Sequence, residues 1–152
     1  MLINENRCFI INSECSSREL LERMARSLVA DRLAKESFIK AILNREEEHP
    51  TGIDCGDYSI ATPHTDPVHI LESGFAVAIC NDNVCFYNAD KSGQELKPSI
   101  VVMMCIKSIN DGNEHIEAIG RVYSLAGNKD IIDTLCACNN QESVFTVFKS
   151  NY

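Results

Sequence analysis

The run "SIVVMMCI" (99–106) narrows which kind of domain this chain can form. It is almost wholly apolar, with two adjacent valines, and Pro98 stands just before it. A strand with one wet face alternates apolar and polar residues, whereas a strand covered on both faces does not. The length leaves a buried helix open, but the Val-Val pair and the flanking proline favour a central strand. A strand of that kind calls for helices on both faces of its sheet.

Working outward, the expected helices are found on both sides. Ahead of the run, "CFIIN" (8–12) reads as a short strand, and Ser16 with Glu19 forms a Ser-x-x-Glu capping box. Leu20, Leu21, Met24, Ala25, Leu28 and Val29 then recur at helical spacing. A second helix carries Phe38, Ile39, Ile42 and Leu43 on one face and fades in "NREEEHPTG", where Pro50 biases His49 away from helical geometry. Beyond the run, Asp111 and Glu114 make a D-x-x-E helix start, followed by Ile116, Ile119, Tyr123 and Ala126. "DIIDTLCAC" (130–138) predicts a short helix, and "SVFTVF" (143–148) fits helix or strand.

The middle third changes character. "YSIAT" (58–62), "FAVAIC" (75–80) and "VCFYN" (84–88) are short β-rich runs, and the last two read as a hairpin across Asn81-Asp82-Asn83. The expectation is a layered α/β fold, a group of strands flanked in sequence by helices on both sides, with residues 1–152 as one domain. Strand order is not carried by these patterns.

The 152 residues are 45% hydrophobic and 24% charged, ordinary values for a globular protein. No apolar stretch approaches the roughly 20 residues needed to cross a bilayer. The first residues show no basic region followed by a long apolar core, so the cytoplasm is the expected location. A net charge of −8 disfavours nucleic acid as a partner. The eight cysteines include no C-x-x-C pair, which argues against zinc and for buried, thiol-bearing packing residues.

Four residue types invite chemistry. His64 follows Pro63, which extends Thr62 and runs the "SIAT" strand straight into the imidazole. Strand ends are where open α/β sheets place their ligand crevices, although a surface histidine beside a turn would look the same. His115 falls in the first turn of a predicted helix, where unpaired N–H groups attract anions; a solvent-facing residue is the alternative. Arg45 could grip phosphate with two N–H groups, or pair with Glu46 or Glu48 at the surface. Thr51 and Thr65 could each donate a hydroxyl to the same anion. A metal at His64 and His69 would need further ligands from Asp66, His115 or a distant cysteine, and Pro67 prevents one helix from carrying both histidines.

Taken together, "REEEHPTGI" (45–53), "IATPHTDPVHI" (60–70) and "DGNEHIEAIGRVYSLAGN" (111–128) resemble the enzyme IIA component of the bacterial sugar phosphotransferase system. The resemblance is to the fructose/mannitol superfamily, and most closely to its galactitol-type branch. Thr62 departs from it, since that position is usually apolar in the motif, and eight cysteines are many for this family.

The resemblance implies roles. His64 would accept a phosphoryl group from the phosphocarrier protein HPr and pass it to a cysteine of enzyme IIB. His115 would be the second active-site histidine, and Arg45 the active-site arginine that steadies the phosphate. The implied fold is the mannitol/fructose-type enzyme IIA fold, an α/β fold with a single mixed β-sheet flanked by helices on both sides, and such a scheme requires no metal or organic cofactor. The implied role is uptake of a sugar or sugar alcohol, galactitol-like. A regulatory module of the same fold that senses phosphorylation state is the alternative, and a metal-binding protein using His64, His69 and cysteines is a third.

Overall fold

The fold is taken from a computed structural model that describes residues 2–107 and 113–152, and of residues 113–115 the backbone only. Strand β7 (Ile100–Cys105) lies at the centre, as its unbroken apolar run predicts. It pairs antiparallel with β4 (Gly74–Ile79) and parallel with β3 (Ser59–Ala61). Outside these, β1 (Cys8–Ile10) runs parallel to β4, and β2 (Gly52–Asp54) runs antiparallel to β3. The result is a mixed five-stranded sheet in the order β1-β4-β7-β3-β2. A small antiparallel pair, β5 (Phe86–Tyr87) and β6 (Glu95–Leu96), stands beside it.

Strand periodicity sorts the central side chains into two cores. Ala76 and Ala78 of β4, with Val101, Met103 and Cys105 of β7, face α1 (Ser17–Ala30) and α2 (Ser37–Glu48). Phe75, Val77 and Ile79, with Ile100, Val102 and Met104, face the second core with α3 (Asn113–Ala126), α4 (Lys129–Cys136) and α5 (Gln141–Asn151). Both expectations drawn from residues 99–106, a central strand and helices on both faces, therefore hold.

The helix signals hold where they can be compared. Ser16 Oγ accepts the Glu19 N–H at 3.1 Å and caps α1. The ambiguous "SVFTVF" is helical: Asn140 caps α5 through the Ser143 N–H, and Val144 and Phe148, one turn apart, are buried. Packing of that face outweighs the β preference of its valines and phenylalanines. The Asp111 end of the D-x-x-E start lies outside the described residues.

The expected hairpin between 75–80 and 84–88 does not form. The turn is there, with Asn81 and Asp82 at positive φ and the Asn83 N–H on the Cys80 carbonyl. Both edges of β4 are already taken, however, by β1 and β7. Asn81 and Asn83 turn their side-chain amides to the Ile11 carbonyl instead, and β5 pairs with β6. Strands β2 and β6 carry too few apolar residues to announce themselves. Among the described residues, no helix is long and apolar enough to cross a membrane.

Candidate functional site

Strand β3 ends at Ala61, and the chain then loosens for two residues before touching β7 again. The His64–Met104 parallel bridge and the Met104 N–H bond to the Pro63 carbonyl, at 2.9 Å, mark the return. Pro63 supplies no N–H to continue the ladder, so the break falls where the sequence puts it. The Thr62 N–H reaches the Thr51 carbonyl at 3.3 Å, which ties this segment to the turn leading into β2.

His64 is thereby held at the carboxyl end of β3. Its Nδ1 lies 2.9 Å from the Thr62 carbonyl oxygen. A carbonyl can only accept, so Nδ1 carries the proton and Nε2 keeps its lone pair. Half-buried His64 opens onto a cleft of about 270 Å³ lined by Arg45, Thr65, Asp66, Pro67, Met104, Ile106, Ile119 and Tyr123. The lining is mostly apolar, with His64, Arg45, Thr65, Asp66 and the phenol of Tyr123 as its polar groups. Arg45 enters from the last turn of α2. Among the described residues it has no ion-pair partner within 4.0 Å, and its Nε is buried without a hydrogen bond. A guanidinium in that condition is suited to an incoming anion.

The predicted site residues are thus brought together in part. His64, Arg45 and Thr65 share the cleft. The backbone of His115 lies in the first turn of α3, the helix that contributes Ile119 and Tyr123; its side chain lies outside the described residues. Thr51 is a correction. It is buried away from the cleft lining, and its hydroxyl is spent on Glu46, at 3.1 Å from Oε1 and 2.9 Å from Oε2. The Thr51 N–H also donates to Glu46 Oε1 at 2.9 Å. It braces the turn rather than offering itself to an anion.

His69 does not join His64. Its Nδ1 lies 2.9 Å from Ser37 Oγ at the start of α2, and it is not among the residues lining the cleft. Among the described residues no group of three or more His, Cys, Asp or Glu could hold a metal ion. The eight cysteines are free: Cys8, Cys80 and Cys105 are buried, Cys85 is exposed, and four are half-buried. Burial pushes the Cys8 and Cys105 thiols up to about 12, so neither offers a thiolate near neutrality.

Two residues escaped the sequence reading. Glu46 sits one turn beyond Ile42 on the buried stripe Phe38–Ile42, so the helical period alone places a carboxylate in the interior. Burial pushes that carboxyl up to about 7, against the opposing effect of the Thr51 hydrogen bonds and the Arg45 charge. Tyr123, expected on a packed helix face, is 40% exposed and lines the cleft. Its hydroxyl lies 3.1 Å from that of Thr62, 61 positions away, and no local pattern could have paired them.

Comparison with known proteins bears on the family and the fold. Residues 1–151 match the family model described as phosphoenolpyruvate-dependent sugar phosphotransferase system, EIIA 2. The chain is 26% identical over 117 residues to the fructose-specific EIIABC component of Bacillus subtilis, covering 77% of this chain and 17% of that protein. It is 23% identical over 117 residues to the galactitol-specific EIIA component of Escherichia coli, covering 77% of this chain and 75% of that one. The mannitol enzyme IIA of Escherichia coli, solved in complex with phosphorylated enzyme IIB, superposes with a TM-score of 0.75 over 97% of both chains at 17% identity. That last likeness speaks for the fold alone. With the family model spanning all but the final residue, this chain belongs to the type 2 EIIA family and is a phosphotransferase component of the phosphoenolpyruvate-dependent sugar phosphotransferase system.

Proposed function

We propose that His64 carries the phosphoryl group, taking it from phosphorylated HPr and passing it to a cysteine of enzyme IIB during uptake of a galactitol-like sugar alcohol or a related sugar. The observation that carries this reading is the Nδ1–Thr62 carbonyl bond, which leaves Nε2 its lone pair beside a cleft whose arginine has no ion-pair partner among the described residues. The E. coli mannitol relative, solved with phosphorylated enzyme IIB, supports the choice of partner. Residues 1–152 act as one unit in the cytoplasm, and the reaction uses no metal or organic cofactor.

The chemistry follows from the ring. As the Nε2–P bond forms, the bond from phosphorus to the donor breaks, and the imidazole acquires positive charge. The Nδ1–H bond to the Thr62 carbonyl becomes charge-assisted at that moment, so it stabilises the transition state more than the resting state. Arg45 offsets charge on the transferring oxygens, and Thr65, which lines the same cleft, can add a hydroxyl donor. His115, whose backbone lies on the first turn of α3, takes the role of second active-site histidine that the family resemblance implies. In the second step the ring leaves as neutral imidazole when the thiolate of enzyme IIB attacks phosphorus, which keeps the carrier reactive.

The test is incubation with phosphoenolpyruvate, enzyme I and HPr, read by intact mass. A single acid-labile phosphoryl adduct is expected on the wild type and none on His64→Ala. An unlabelled wild type, or a fully labelled His64→Ala, overturns the reading. Adding enzyme IIB of the galactitol or fructose system should discharge the adduct, faster with the partner of the true sugar branch.

A further inference from the structure

We infer that Thr62 and Tyr123 are a positioning pair for the phosphoryl acceptor, setting the tautomer and aim of His64 through the backbone of Thr62. The inference rests on His64 being the acceptor, but its key readout does not.

Thr62 makes three bonds to three different places. Its N–H donates to the Thr51 carbonyl, its carbonyl accepts His64 Nδ1, and its hydroxyl meets the Tyr123 hydroxyl at 3.1 Å. The residue is 2% exposed, so an unpaired hydroxyl here would have no water to turn to. Threonine is stiff at χ1, so fixing its oxygen also restricts the backbone that carries its carbonyl. Tyr123 comes from α3 and lines the cleft, and the hydroxyl pair therefore ties that helix to the end of β3.

The carbonyls at this strand end are separately committed, Pro63 to the Met104 N–H and Thr62 to His64. The side chain of Thr62 is the group that joins this strand end to α3 through Tyr123. If the Tyr123 hydroxyl is removed, the buried Thr62 hydroxyl must find a new partner, and the segment bearing the Thr62 carbonyl that holds His64 shifts with it. The aromatic wall would remain, so docking of a partner protein should be little changed while transfer slows. Tyr123 acts through Thr62 and needs no contact with the phosphoryl group.

Four proteins test the pair: wild type, Tyr123→Phe, Thr62→Val and the double variant, with Thr62→Ser as the conservative rescue. Each is labelled with ¹⁵N-histidine, and the ring nitrogen shifts of His64 are read at pH 8. The wild type and Thr62→Ser should show the Nδ1–H form, and the other three a marked fraction of the Nε2–H form. The rate constant for acceptance from phosphorylated HPr should fall about three- to tenfold in each single variant, with KM unchanged, and no further in the double variant. A wild-type tautomer in both Tyr123→Phe and Thr62→Val overturns the inference, as do additive rate losses. If Tyr123→Phe fails to fold, Thr62→Val against Thr62→Ser decides. An unphosphorylated wild type would overturn the carrier reading instead, and the tautomer comparison would still judge this one.

Discussion

The Nδ1 of His64 and the carbonyl oxygen of Thr62, two residues earlier in the chain, are 2.9 Å apart, and this contact gives the imidazole a direction. A ring whose Nδ1 is committed to a carbonyl can form a bond to phosphorus only through Nε2. The phosphorylated protein should therefore carry its phosphorus on Nε2. In ¹⁵N-histidine-labelled protein, ³¹P–¹⁵N coupling should appear at that nitrogen; coupling at Nδ1 would mean that the Thr62 bond breaks before transfer.

Arg45 brings to the same cleft a guanidinium that has no ion-pair partner among the described residues, with its Nε buried and without a hydrogen bond there. Its planar fork can hold two phosphoryl oxygens at once, which an ammonium cannot. Arg45→Ala should slow acceptance from phosphorylated HPr on the order of 10²-fold, as expected for loss of one preorganised donor group. Arg45→Lys should recover only part of that loss. Rapid-quench measurement of adduct formation checks both, and a lysine variant as fast as wild type would reduce Arg45 to a point charge.

How far the site could be read from the sequence depends on the range of the contacts. Residues 99–106 gave away the central strand because burial on both faces removes the alternation that a half-wet strand must keep. His64 and Arg45 were legible because Pro63 and the end of α2 are local punctuation, visible within a few residues. Thr51 was misplaced although its partner Glu46 lies five residues away, because the period of Phe38 and Ile42 that turns Glu46 inward was not extended to a charged residue. The hairpin was misread because turn chemistry at Asn81-Asp82 says how the chain reverses, not which strand edges are still vacant. The Thr62–Tyr123 contact joins two elements far apart in the chain and has no sequence signature at all.

Gly52 sits where β2 meets the segment leading out of β5. A Cβ placed on it would lie 2.5 Å from the backbone oxygen of Tyr87, and the Ala89 N–H already donates to the Gly52 carbonyl at 2.8 Å. The obstacle is backbone held on both sides, so it cannot swing away as a side-chain tip could. Gly52→Ala should destabilise the protein by about 1–3 kcal/mol, the usual range for overpacking. Urea unfolding measures it. Because β2 pairs with β3, the His64 end should also lose rate in this variant at temperatures where it stays folded. A variant as stable as wild type would mean that the 87–89 segment moves freely.

Glu46 makes stability depend on pH with an unusual sign for a carboxylate. Its folded value is pushed up to about 7 by burial, whereas the unfolded chain releases the proton near 4.5. Between these values the folded state holds more protons, so stability is full below about pH 4.5 and is lost as pH rises through about 7. The total at stake is on the order of 3 kcal/mol. Arg45 is the charged neighbour that limits the loss, and the Thr51 N–H and hydroxyl are the donors that face the carboxylate. Glu46→Gln keeps an acceptor for Thr51 without a proton to lose. It should match the wild type at pH 5 and exceed it at pH 8 by roughly 2 kcal/mol in urea unfolding. The difference between the two proteins cancels every other titrating group, histidines included. A difference that stays constant from pH 5 to pH 8 would show that Glu46 is already ionised at pH 5, and that the bonds from Thr51 outweigh its burial.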